Sequence, residues 1–87
     1  MLTLGKQMLR WKLREVMARA KITNRELAAE LKVHETSVSR MKTADTMPRI
    51  DGDTLENLCN CLTKLYKEKG INEIVMPAAL FEFTPKQ

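Results

Sequence analysis

The 87-residue sequence predicts an all-α fold, a bundle of about five helices around a helix-turn-helix, with a small two-stranded sheet joining its two ends. Three observations carry this. In residues 23–42, Leu27, Ala28 and Leu31 repeat at helical spacing, Val33 follows a turn, and Val38 and Met41 resume the spacing. Leu55, Leu58, Leu62 and Leu65 form a second helical stripe, and Leu13, Val16, Met17 and Ala20 a third. At the chain's ends the period changes to two: Leu9, Trp11 and Leu13 alternate with Arg10 and Lys12, and Leu80-Phe81-Glu82-Phe83 alternates likewise.

Taken in order, residues 1–7 carry little pattern and are read as a flexible arm, with Met8 as an alternative start. Residues 8–11 read as extended, followed by the first helix to Ala20; a continuous helix over 6–20 is the competing reading. Ile22 lies in the link. Thr23 is a natural N-cap, and Glu26 three residues on completes a capping box for the second helix, which runs to about Leu31. His34 takes the N-cap position of the third helix, a poor cap, while Glu35 next to it suits the helix dipole. That helix runs to Lys42 or Thr43. Residues 43–52 cluster Asp, Thr, Pro and Gly and read as a loop. Asp51 or Asp53 caps the fourth helix, which ends at Lys67-Glu68-Lys69-Gly70. Residues 71–76 read as a short helical turn or strand. Pro77 opens a last short helix at 78–80, and Pro85 closes a domain spanning 8–85.

Composition narrows the function. One domain of this length buries a modest core. The net charge of +4 is unevenly placed: residues 1–50 carry 11 Lys/Arg against 5 Asp/Glu, and residues 51–87 carry 4 against 6. The basic excess surrounds the helix-turn-helix, the footprint expected for a polyanionic partner. No run approaches the ~18 apolar residues of a membrane span, and no signal-peptide pattern is present. Cys59 and Cys61 are the two cysteines. A C-x-C pair on a helix points its thiols about 200° apart, so they share no tetrahedral metal and do not bridge readily. Cys59 falls on the leucine face of its helix and Cys61 off it. Reduced thiols fit a cytoplasmic location.

Two short helices joined by a tight turn can lay the second in a DNA major groove. Glu35, Thr36, Ser39 and Arg40 share the outer face of that helix and are the candidate base readers. Arg40 can fork onto guanine O6 and N7, Thr36 can touch a thymine methyl, and Glu35 can accept from cytosine N4 although it repels phosphate. Candidate phosphate contacts are Asn24 and Arg25 at the start of the second helix, His34 before the third, and Lys42, Thr43 and Arg49 beyond it. With about four to six phosphates neutralised, log K falls with log salt at a slope near −4 to −5 per monomer. No nucleophile–His–acid set and no cluster of metal ligands is present, so the reading is of a non-enzyme without cofactor or metal. Trp11, Tyr66, Phe81 and Phe83 are too scattered for a base-stacking platform and read as core or dimer packing.

Asn24-Arg25-Glu26-Leu27-Ala28, then Val33, then Ser37-Val38-Ser39-Arg40 resembles the lambda-repressor-like (Xre) family of bacterial and phage DNA-binding domains. The resemblance covers roughly residues 8–85 with a gap at 66–76. The tail Pro77–Pro85 is similar to the ending of a compact branch of small single-domain regulators. It implies that Ile50 plugs the core from its loop. Three positions depart from the family pattern: Lys32 where the turn usually carries Gly, Asn24 where Gln is common, and Lys42 where many members have Glu. A non-Gly residue at a left-handed turn costs about 1 kcal/mol. The implied function is a sequence-specific double-stranded DNA-binding regulator, a repressor; because one such module buries little surface, a homodimer through the arm, the last helix or the apolar tail Ile71–Phe83 is expected. The alternative is a protein-interaction module, such as a toxin's antidote partner, that uses the tail to bind another protein.

Overall fold

Alternating apolar and charged side chains at the two ends pair as an antiparallel ribbon, β1 (Leu9–Trp11) against β2 (Phe81–Phe83), in a computed structural model that describes residues 9–44 and 49–84. The register sets Leu9 opposite Phe83, Arg10 opposite Glu82 and Trp11 opposite Phe81. The period of two therefore gives the ribbon an apolar face and a charged face. On the charged face Arg10 bridges Glu82 at 2.8 Å and Glu15 at 2.7 Å. On the apolar face Trp11 and Phe81 meet edge to face, with centroids 5.5 Å apart. The competing continuous helix is excluded, because residues 9–12 are not helical. The arm expected at 1–7, the start at Met8 and the closing Pro85 lie outside the described residues.

The ribbon passes directly into α1 (Leu13–Arg19), with the Lys12 N–H donating to the Leu80 carbonyl at 2.8 Å. Helix α2 (Asn24–Leu31) starts where the capping box predicts: Thr23 Oγ1 accepts from the Glu26 N–H, and the Glu26 carboxylate accepts from the Thr23 N–H. These bonds, with Lys69 at 3.0 Å, hold the Glu26 carboxyl below the usual carboxylate range. Lys32 ends α2 in the left-handed conformation, φ 62° and ψ 43°, the geometry that ordinarily favours Gly. Helix α3 (Glu35–Thr43) follows with no side-chain cap from His34.

Asp51 rather than Asp53 caps α4 (Gly52–Glu68), accepting from the Thr54 N–H at 2.8 Å, and this bond depresses its carboxyl pKa. Gly70 takes φ 88° just past the end of that helix. Ile50 packs, partly buried, against the core. The described residues thus hold four α-helices. The expected fifth is a short 3₁₀ turn at Pro77–Leu80. Residues 71–76 form neither helix nor strand, but Val75 is buried and its N–H donates to Thr63 Oγ1.

The core is one cluster. Leu13, Met17, Leu27, Val38, Leu58, Leu62 and Leu80 are its fully buried large side chains, so every layer from α1 to the tail contributes. Two sequence expectations need correction. Val33, expected inside, is 43% exposed. Its N–H turns back to the Ala28 carbonyl to close the α2 terminus, and that bond fixes it on the rim of the turn. Cys61, expected off the buried face, is buried like Cys59. The buried arc of α4 takes in Leu58, Cys59, Cys61, Leu62, Leu65 and Tyr66, a width of roughly 160°, and the two thiols flank it on opposite edges. Burial raises both thiol pKa values.

Candidate nucleic-acid interface

Helix α3 has one apolar anchor and one open face. Val38 is fully buried and Met41 packs partly buried behind it. The strip opposite carries Glu35, Thr36 and Arg40, all exposed, and Ser39, half-buried. Glu35 and Ser39, and likewise Thr36 and Arg40, stand one turn apart and so face the same way. The four side chains expected to share a face therefore do so.

The flanking polar residues are brought together in two groups. At the near end, Arg25 Nε lies 3.6 Å from a Glu35 carboxylate oxygen, so the first turn of α2 and the first turn of α3 share an exposed ion pair. His34 sits exposed beside them in the turn. At the far end, Lys42 donates to Asn24 Oδ1 at 3.1 Å and ties the last turn of α3 to the first residue of α2. Thr43 donates to the Ser39 carbonyl at 2.9 Å, so it reaches a phosphate oxygen only by turning its hydroxyl out of that bond. Arg49 is exposed after the stretch 45–48 and makes no hydrogen bond or ion pair with this group among the described residues.

One contact to α3 has no signal in the sequence. The Trp11 indole N–H donates to the Met41 carbonyl at 2.9 Å across thirty residues. Spacing marks Trp11 as apolar and inward but says nothing about an acceptor in another element.

Among the described residues no group of three or more His, Cys, Asp or Glu is placed to hold a metal, and no helix is long and apolar enough to cross a membrane. The model of the Cro/C1-type HTH DNA-binding domain matches residues 12–64, well over half of the chain and all of α1, α2 and α3. The chain belongs to the Cro/C1-type helix-turn-helix family. No curated protein and no solved structure gives a significant match. The Cro/C1-type assignment makes the chain a DNA-binding protein and agrees with the helical bundle and its added ribbon. Both strands of that ribbon, and the tail that carries one of them, lie outside the matched segment.

Proposed function

We propose that the chain is a sequence-specific regulator of transcription, a repressor, which lays α3 in the major groove of double-stranded DNA. The observation that carries this is the polar strip Glu35, Thr36, Ser39 and Arg40, held outward by the fully buried Val38 behind it. In this reading Arg40 forks onto a guanine edge, Thr36 meets a thymine methyl or a base acceptor, Ser39 offers its hydroxyl, and Glu35 accepts from a cytosine amine. Asn24, Arg25, His34, Lys42, Thr43 and Arg49 line the rim and grip phosphates, which fixes register without reading sequence. Residues 8–85 form the binding domain and residues 1–7 an arm. The protein works in the cytoplasm, where its two reduced cysteines and its DNA partner are at home.

A single module of this size buries little surface on DNA, so the working unit is a homodimer on a two-fold-symmetric site. Exposed Leu9, Phe83, Ile74 and Met76 support an apolar contact between copies. The test is selection of duplexes from a random pool. The expected result is a two-fold motif with half-sites about one helical turn, 10–10.5 base pairs, apart. Arg40→Ala removes the preference at one position, and the salt slope of the intact protein lies near −4 to −5 per monomer. Selection that returns no shared motif overturns the proposal.

A second reading rests on Ile74 and Met76, which are 78% and 60% exposed, with Ile74 lining a shallow cleft of about 270 Å³ beside Lys12, Glu15, Arg19 and Tyr66. As a protein-interaction module the chain would bind a partner there, and Arg40→Ala would leave that complex intact.

A further inference from the structure

We infer that Trp11 is a positioning residue for α3: the terminal ribbon, through the indole N–H, sets the tilt of the helix that faces DNA. The inference rests on the proposed role of α3 and goes beyond it, because Trp11 and its neighbour Phe81 both lie outside the family-matched segment.

The need for such a contact follows from the ends of α3. A helix leaves its last four carbonyls without partners. In α3 these belong to Arg40, whose carbonyl the Thr43 hydroxyl approaches at 3.5 Å, and to Met41, Lys42 and Thr43. Ala44, the residue at its C-cap, is extended, so no left-handed turn folds back over the end. The Met41 carbonyl instead takes the indole proton of Trp11. Trp11 is itself enclosed: it is 4% exposed, paired in register with Phe81, and packed edge to face on that ring. The backbone at the far end of α3 is thus referred to the ribbon, with the Lys42 side chain reaching Asn24 of α2, whereas the near end is referred to α2 through the turn at Lys32.

Geometry makes the contact matter. Val38 is the buried pivot, and Thr43 lies five residues beyond it, about 7 Å along the axis. A tilt of about 10° around the pivot then moves the far end by about 1 Å, more than a base-reading site tolerates. Lys42 rides near that end, and Arg40, about 3 Å beyond the pivot, shifts by about 0.5 Å at its backbone and by more at the tip of its long side chain. Loss of the indole bond therefore disturbs base reading more than it disturbs phosphate attraction, which depends on charge at longer range.

The test replaces Trp11 in the full chain by β-(3-benzothienyl)alanine, which keeps the ring's shape and puts sulfur where the N–H was. Trp11→Phe is the genetically encoded second variant. Trp11 is the single tryptophan, so the replacement touches nothing else. Probes are a duplex selected from a random pool by the wild type, and poly(dI-dC). Circular dichroism checks the fold. The expected result is a drop of about tenfold in affinity for the selected duplex, with affinity for poly(dI-dC) changed less than twofold. Amide exchange within 41–44 accelerates in the free protein, a readout independent of DNA. Equal loss on both probes, or unchanged binding to the selected duplex, overturns the inference. Arg40→Ala separates the two levels. If it loses the selected duplex while the Trp11 variants do not, positioning by Trp11 fails alone. If the wild type selects no duplex, the role of α3 fails and takes this inference with it.

Discussion

The Tyr66 hydroxyl donates to the backbone carbonyl of Val16, fifty residues earlier, and so pins α4 to α1 in the centre of the molecule. Val16 lies in the last turn of α1, where the chain turns away: the Lys21 N–H donates to the Ala18 carbonyl and the Ile22 N–H to the Met17 carbonyl. Tyr66 therefore completes a helix end from outside. Burial also pushes its phenol pKa up, which keeps the proton on the donor.

Tyr66→Phe keeps the ring and removes the proton, leaving the Val16 carbonyl without that partner. Stability is expected to fall by about 1–2 kcal/mol, measured as a lower midpoint in urea with an unchanged slope. A midpoint equal to wild type would show that water replaces the hydroxyl without cost.

Lys32→Gly tests the turn between α2 and α3. Lys32 holds a left-handed backbone against its own Cβ, at a cost of about 1 kcal/mol. Glycine removes the clash but frees the unfolded chain, which takes back about 0.4–1 kcal/mol. The expected net effect is stabilisation of about 0.3 kcal/mol, seen as a rise in Tm of about 1–2 °C. A lower Tm means that the strain at Lys32 has been relieved by other means.

Acid should weaken the fold through two helix caps. The Glu26 carboxyl is depressed first by the Thr23 N–H and then by Lys69, and Asp51 by the Thr54 N–H. Because both folded values lie below the unfolded ones, the unfolded chain takes up protons first as pH falls. The stabilisation is complete above the ordinary carboxylate range, about pH 4–5, and disappears as pH drops through the folded values. Thermal midpoints are expected to hold from pH 7 to about 5 and then fall. In Glu26→Gln combined with Asp51→Asn the neutral-pH midpoint is lower and the acid decline shallower. An acid limb identical to wild type would assign the decline to other groups.

Glu35→Gln addresses the one acid on the open strip. The change removes a carboxylate that repels phosphate and releases Arg25 from its 3.6 Å pair. Affinity for random duplex is expected to rise by about two- to fivefold at low salt, with the gain shrinking as salt is added. Discrimination at one base pair of a selected site should fall with it, and stability should stay within about 0.5 kcal/mol. Titrations on matched and random duplexes across a salt series separate the two effects.

Much of this was legible in the residues. The ribbon followed from alternation at Leu9-Arg10-Trp11 and Phe81-Glu82-Phe83, because a period of two suits no helix. The start of α2 followed from Thr23 and Glu26, whose reciprocal bonds are local. What escaped was set by distance. Val33 looked apolar and inward, but its backbone bond to Ala28 fixes where it points. Cys61 looked peripheral on a leucine stripe, yet the face of α4 that packs is wider than the stripe. The Trp11–Met41 and Tyr66–Val16 bonds join elements thirty and fifty residues apart, and no local pattern names such acceptors. On α3 the open strip was readable because one helix fixes all four positions. The pairing of Arg25 with Glu35 and of Lys42 with Asn24 required the angle between two helices.

The pairing of Leu9 with Phe83 sets a timetable for folding. The first strand to leave the ribosome has no neighbour until residue 83 has been added, and closing so long a loop is entropically slow to nucleate. Through that interval Leu9 and Trp11 are sticky and unclaimed, and the far end of α3 lacks its tether to the ribbon. A truncated product that stops before Phe81 should therefore carry a formed helix-turn-helix whose α3 lacks the ribbon's support at one end, and should aggregate more readily than the full 87-residue chain.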